Sequence, residues 1–290
     1  MKRIIGIALI VASSLAYGAM PVFARLAYAD GTSPLTVLFM RFSLAALILL
    51  VYMFGSRTPF PRGKTLIHLV LMGVFGYVGQ SLAYFLAISL APASLVALLL
   101  YLSPVLVTAG SFIFLHERVT WIKIAALIMA LAGAALTISA RGELGVGQSK
   151  GILPGILLGI LAAVIGAVYV LAGSRVLRAA PAIPATAIII TSTAATYTTF
   201  ATVQGFTFPA HWHGYAAILA LATISTVFAV STFMAGLQRV GPANAATLGV
   251  LEPASAVALA ALILGETIHP QQIIGGFIIA FAVVLVSRMV

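Results

Sequence analysis

Two charges interrupt stretches that otherwise carry none. Glu252 is the tenth residue of the run 243–264, which places it near the middle of a membrane-length helix. It directly precedes Pro253, which has no backbone N–H to donate and kinks a helix. A carboxylate beside such a kink suits two tasks: countering the amine of a substrate, or carrying a proton. The plainer role is a neutral side chain that satisfies the broken helix. Arg41 is the eighth residue of the run 34–54. At 1.5 Å per residue it sits about 10–12 Å below one membrane surface. It can pair with Glu252 or with a substrate carboxylate. It can also snorkel outward or bond the carbonyls of a helix end, and the sequence favours this second reading.

A third feature is a stripe. Tyr77, Gln80, Ser81 and Tyr84 recur at i, i+3, i+4 and i+7, one face of a helix. Lipid offers phenols and amides no partner, so this face is expected to turn inward. An aromatic wall with a few hydrogen-bonding tips suits an amphipathic cargo such as an amino acid. Ser14, Tyr17, Tyr101, Tyr169, Ser225 and Thr226 extend the same set from other runs. Pro104 and Pro253 are the expected helix breaks, where gating motions would centre. Glu117 and Glu266 end two runs and read as structural, each bonding the start of the next helix. Gly151, Gly155 and Gly159 recur every fourth residue as a close-packing ridge. Trp121 and Trp212 stand at run edges, as interfacial anchors do.

The same inventory excludes other chemistry. Asp30 is the only aspartate, so an intramembrane aspartate dyad is impossible. His116-Glu117 is followed by Arg118-Val119-Thr120, which lacks the second histidine of a zinc protease helix. No Gly-x-x-x-x-Gly-Lys loop occurs, so ATP is not a direct energy source. Five acidic residues and no filter-like repeat argue against an ion channel. The expectation is a protein that is not an enzyme and holds neither metal nor cofactor.

These residues need a scaffold, and composition says which. The chain is 62% hydrophobic and 7% charged, with a mean hydropathy of +1.20. Soluble domains carry roughly 25% charged residues, so here the bilayer is the solvent. A hydrocarbon core about 30 Å thick takes about 20 residues of helix. Ten spans are expected, at 4–26, 34–54, 66–89, 93–115, 120–140, 151–173, 183–204, 214–236, 243–264 and 270–288. The first is too long for a signal-peptide core of about 7–15 residues and is read as a true span. Ser33-Pro34, Thr120 and His269-Pro270 carry helix-start chemistry.

Fifteen basic residues oppose five acidic ones. They fall as ones, twos and threes between apolar runs, a pattern of membrane topology rather than nucleic-acid binding. With a cytoplasmic N-terminus, that side collects Lys2, Arg3, Arg57, Arg62, Lys64, Arg118, Lys123, Arg175, Arg178, Arg239 and Arg288. The other side holds Arg25, Arg141 and Lys150. Cytoplasmic loops are enriched in Lys and Arg, so the split supports ten spans with both termini cytoplasmic. There is no cysteine, hence no disulfide and no thiolate metal site.

The chain also repeats itself. Pro104 and Pro253 are 149 residues apart, and so are Glu117 and Glu266, Gly6 and Gly155, Ala109 and Ala258, and Leu136 and Leu285. Pro92-Ala93 matches Pro242-Ala243 after a one-residue shift. The expected organisation is a first repeat over 1–140, a linker over 141–150 and a second repeat over 151–290. Five spans per copy is an odd number, so the second copy inserts upside down. Inverted repeats are a hallmark of secondary transporters, whose sites lie near the midplane between the halves.

At these residues the sequence resembles a known family. Ala91-Pro92-Ala93-Ser94, Leu102-Ser103-Pro104-Val105 and Phe114-Leu115-His116-Glu117-Arg118 resemble the EamA domain pattern. Gly241-Pro242-Ala243-Asn244, Leu251-Glu252-Pro253 and Leu264-Gly265-Glu266-Thr267 repeat it. Tandem EamA domains characterise the drug/metabolite transporter superfamily. The resemblance implies an all-α membrane fold of ten helices, built as two inverted five-helix repeats around a central cavity. It implies that the first, third, fourth, sixth, eighth and ninth helices line the cavity, and that the fifth and tenth hold the structure from the side. It implies a secondary transporter in a bacterial cytoplasmic membrane, exporting amino acids or other metabolites. Exporters of amines, nucleobases or drugs, and less so a channel, are the alternatives. Alternating access by a functional monomer, with a small molecule and the bilayer as its only partners, completes the expectation. The first copy departs from the pattern at His116, where the second has Gly265.

Overall fold

Backbone polar groups in a bilayer must be satisfied within their own segment, and all regular structure among the described residues is helical. The computed structural model describes residues 2–91, 93–117, 120–139 and 152–288. Pro92, Arg118, Val119, Arg141, Lys150, Gly151 and the expected linker 141–150 lie outside the described residues.

Ten membrane-length segments follow one another. They are Lys2–Gly18 with Met20–Ala29, Pro34–Gly55, Gly63–Leu71 continuing to Leu90, Ala93–Leu100 with Leu102–Leu115, and Trp121–Ser139 in the first half. Ile152–Val176, Ala182–Gln204, Trp212–Ala222 continuing to Val240, Pro242–Gly249 with Glu252–Leu264, and Pro270–Ser287 form the second. Among the described residues, nine are apolar enough to span by composition. The seventh, Ala182–Gln204, is long enough but holds eight Ser and Thr residues. Seven of these hydroxyls donate to carbonyls of their own helix, including Thr186 to Ala182 and Thr198 to Ala194. Self-satisfied hydroxyls remove the cost of placing such a helix in lipid. The start signals operate as expected. Ser33 accepts from the Thr36 N–H, Thr120 from the Lys123 N–H, and His269 and Gln272 form a reciprocal cap.

The halves interleave rather than stand side by side. The first span packs on the eighth and the third on the sixth, while the second packs on the seventh and the fifth on the tenth. Glycines set two equivalent crossings. A Cβ at Gly6 would lie 2.6 Å from Val240, and one at Gly155 would lie 2.6 Å from Ala91. Gly6 and Gly155 are repeat mates, and so are Ala91 and Val240, each pair 149 residues apart. Gly159 meets Leu99 in the same way, so the glycine ridge of the sixth span is a contact surface.

The internal symmetry extends to irregular backbone. The third span contains a π-helical turn at Met72–Tyr77 and the eighth one at Thr223–Phe228. The fourth span breaks at Tyr101 and the ninth at Val250 and Leu251. The fourth ends with His116 at φ 54° and the ninth with Gly265 at φ 68°. In both caps the next N–H reaches back six residues, Glu117 to Ser111 and Glu266 to Ala260. The departure at His116 is thus one of residue type, not of backbone path.

Candidate functional site

The broken helices shape a central cavity. Pro253 cannot donate to the Gly249 carbonyl, nor Pro104 to the Leu100 carbonyl. Gly249 and Leu100 both line the cavity. The ninth span restarts at Glu252, so the break precedes the carboxylate and leaves it at mid-depth on the rim of the gap.

Two chambers meet there. One has a volume of about 400 Å³ and extends to Tyr28, toward the membrane face that carries Asp30. The other, about 320 Å³, extends past Tyr101 and Pro104 to Val107 and Ala245, toward the opposite face. Gln80, Tyr84, Leu100 and Glu252 border both chambers and form the partition between them. The repeat mate of Glu252 is Ser103, which lines the second chamber; the inverted repeat is therefore unequal in charge at its centre.

The stripe on the third span faces this space in full, since Tyr77, Gln80, Ser81 and Tyr84 all line the first chamber. Its rings are braced from behind. Tyr77 meets Phe42 edge-on at 5.4 Å and Tyr169 edge-on at 5.8 Å, and Phe42 stacks on Tyr197 at 5.4 Å. Close approach is built in at Gly76, where a Cβ would press on the Tyr169 ring at 2.9 Å.

Arg41 lines the first chamber and is 5% exposed, so it neither snorkels nor bonds a helix end. Its Nε donates to Thr226 Oγ1 at 2.6 Å and its Nη2 to the Ser225 carbonyl at 3.2 Å. A third donor reaches the Met20 sulfur at 3.2 Å. Ser225 and Thr226 belong to the π-helical turn of the eighth span, and π turns concentrate at functional sites. The repeat-related turn on the third span is used similarly, with Thr193 donating to the Gly73 carbonyl.

Other expected site residues do not reach the chambers. Ser14 is buried and donates to Ile10 of its own helix. Ser225 is buried and donates to the Ala16 carbonyl, so its service is to Arg41. Tyr169 backs Tyr77, and Tyr17 packs nearby on the core, within electrostatic reach of Glu252 and Arg41. An Arg41–Glu252 ion pair is not formed. The Glu117 carboxylate accepts from the Ala243 N–H at the start of the ninth span, with Lys123 in the first turn of the next helix and Arg178 as the cations acting on it. Glu266 pairs with Arg25, tying the ninth span to the first on the Asp30 face.

Some lining residues escaped the sequence. Met20, Tyr28, Leu38 and Phe42 are hydrophobic in hydrophobic runs, so nothing distinguishes them from lipid-facing neighbours. The π turns left no signal that side-chain periodicity could register. Asp30, His211 and His213 also come together, from positions about 180 residues apart. A His-x-His pair opening a helix was the only hint of them.

This arrangement defines a class: a multi-pass membrane protein of two interleaved inverted repeats, with a polar-lined cavity at their interface. Comparisons place it further. The EamA-like transporter family matches residues 4–139 and again 153–288, so the chain belongs to that family and is a tandem EamA transporter of the drug/metabolite transporter superfamily. A solved structure described only as the crystal structure of a protein is similar over 98% of this chain and 99% of its own, with a TM-score of 0.85 at 21% identity, a likeness of fold. No curated protein matches the chain.

Proposed function

We propose that the chain exports zwitterionic amino acids, with a preference for apolar or aromatic side chains, by alternating access across a bacterial cytoplasmic membrane. The observation that carries this reading is the pairing of an arginine and a glutamate on one aromatic-walled chamber of about 400 Å³. Three bonds occupy only part of the Arg41 donor set, because a guanidinium has five N–H groups. The remaining donors suit a substrate carboxylate, and Glu252 suits the ammonium. Tyr77, Tyr84 and Phe42 suit a flat or branched side chain between them. The volume lies within the usual range for small-molecule sites.

The partition at Gln80, Tyr84, Leu100 and Glu252 supports alternating access. One chamber lies on each side of it, and the helix breaks at Tyr101 and Val250 line the second. With the charge asymmetry of the loops, the chain sits with both termini in the cytoplasm and acts as a monomer. Few titratable groups besides Glu252 line the chambers, which favours efflux down the cargo's own gradient.

Counterflow in proteoliposomes tests the proposal. Vesicles loaded with unlabelled phenylalanine should accumulate labelled phenylalanine, saturably and with competition by leucine. Competition by phenethylamine as strong as by phenylalanine would replace the zwitterion reading with an organic-cation exporter. Non-saturable flux would sink both readings.

A further inference from the structure

Asp30 is the only aspartate of the chain, and it is spent on neither chamber. It lies between the first two spans with its side chain only 3% exposed. The His211 N–H donates to Oδ2 at 2.9 Å, which fixes the carboxylate and presents Oδ1. Gly214 makes room for it, because a Cβ there would collide with Oδ2. Oδ1 then faces two imidazoles. His211 Nδ1 is 2.6 Å away and His213 Nε2 is 3.6 Å away. The two rings lie parallel, 6° apart in plane with centroids at 5.1 Å. Both histidines are more than half exposed, so the cluster is open to solvent.

We propose that Asp30, His211 and His213 bind a divalent transition-metal ion of the Zn²⁺ class. Zinc bonds to nitrogen and oxygen are about 2.0–2.2 Å, which puts neighbouring ligand atoms roughly 3.3 Å apart around a tetrahedral ion. The observed separations of 2.6 and 3.6 Å bracket that value. The three donor atoms converge within 4.8 Å of one another. The ion takes the place of the proton shared by Asp30 and His211, and their contact opens by less than an ångström to admit it. Two imidazoles and one carboxylate select zinc, nickel or copper over magnesium and calcium, which require oxygen ligands. The His211 N–H on Oδ2 is the outer-shell support such carboxylates use. Tyr28, at the mouth of the first chamber, is two residues from Asp30, and His211 immediately precedes the eighth span. A bound ion therefore links two segments of opposite halves beside that mouth.

Equilibrium dialysis of tag-free, chelator-stripped full-length protein in detergent tests this, with Zn²⁺ as probe and Mg²⁺ as comparison. One Zn²⁺ per chain is expected, and no Mg²⁺. His213→Ala leaves the Asp30–His211 hydrogen bond in place and should weaken Zn²⁺ at least about tenfold. The His211→Ala/His213→Ala double variant should lose the site. Thermal unfolding of the metal-free variants checks that each is folded. The proposal is overturned if wild-type protein binds no stoichiometric Zn²⁺, or if the folded double variant binds it as wild type does.

Discussion

Arg41 and Glu252 border one chamber without pairing with each other. The guanidinium is held by Thr226, Ser225 and Met20 of the eighth and first spans. The Glu252 carboxylate has no hydrogen-bond partner among the described residues. Charges at mid-membrane are costly, and a direct pair would neutralise both. Kept apart, they leave one basic and one acidic side chain on the chamber wall, which is what the proposed zwitterionic cargo requires. The cost is borne unequally: protein dipoles satisfy the arginine, and the cavity alone serves the glutamate.

Different consequences of mutation follow from that inequality. Glu252→Gln should reduce counterflow efficiency at least about tenfold, the loss of roughly 1.4 kcal/mol of transition-state binding, while leaving the melting temperature near that of wild type. Arg41→Gln should reduce both, because it removes the charged donors from the Ser225 carbonyl and the Thr226 hydroxyl. Hydrogen bonds from charged groups are worth about 1.5–3 kcal/mol. Counterflow and thermal unfolding on the same preparations check the split. Equal melting temperatures for the two variants would contradict it.

The fifth and tenth spans cross where backbone touches backbone. A Cβ at Gly133 would lie 2.7 Å from the Gly275 carbonyl, and one at Gly275 would lie 2.5 Å from the Gly133 carbonyl. A backbone atom cannot rotate aside, so Gly133→Leu should force the spans apart and cost about 1–3 kcal/mol or more, as overpacking does. Gly55→Ala, with nothing within 4 Å of its Cβ, is the matched control and should be neutral. Thermal unfolding in detergent distinguishes them.

Sequence reasoning reached the scaffold because its signals are long. Ten runs, loop charges and a 149-residue repeat are each read over many residues, and errors in one do not propagate. The third-span stripe was legible for the same reason, as four polar groups on one face. Single residues were harder. Ser14 and Tyr77 look alike as polar residues in apolar helices, yet one hydroxyl bonds its own helix and the other lines the cavity. Rotation of a helix about its axis decides between them, and a lone residue does not report it. Arg41 was misread because its partners sit on a π turn 184 and 185 residues away. The Ala243 N–H partner of Glu117 left no trace in the sequence, because it belongs to the other half of the chain.

His116 occupies a left-handed cap that its repeat mate fills with glycine. Left-handed backbone costs a residue with a Cβ about 1–2 kcal/mol, and glycine nothing. His116→Gly should therefore stabilise the protein, by up to about 1 kcal/mol after the added chain entropy of glycine. Gly265→Ala should destabilise it by about 1 kcal/mol. The two changes should have opposite signs in denaturant or thermal unfolding. Destabilisation by His116→Gly would mean that the imidazole itself contributes more than the strain it carries.

Glu117 links pH to stability on the face opposite Asp30. Burial holds its carboxyl above the ordinary carboxylate range, outweighing Lys123, the Ala243 N–H and Arg178, which pull the other way. A carboxyl raised on folding contributes most when both states are protonated, below its unfolded value of about 4.3. That contribution is lost as pH rises through the folded value. Glu117→Gln retains an oxygen for the Ala243 N–H and cannot ionise. The melting temperature of wild type minus that of Glu117→Gln should thus fall as pH rises above about 4.3, until the carboxyl is ionised in the folded state as well. A difference that rises over this interval would show that the Ala243 N–H and the nearby cations, not burial, dominate at Glu117.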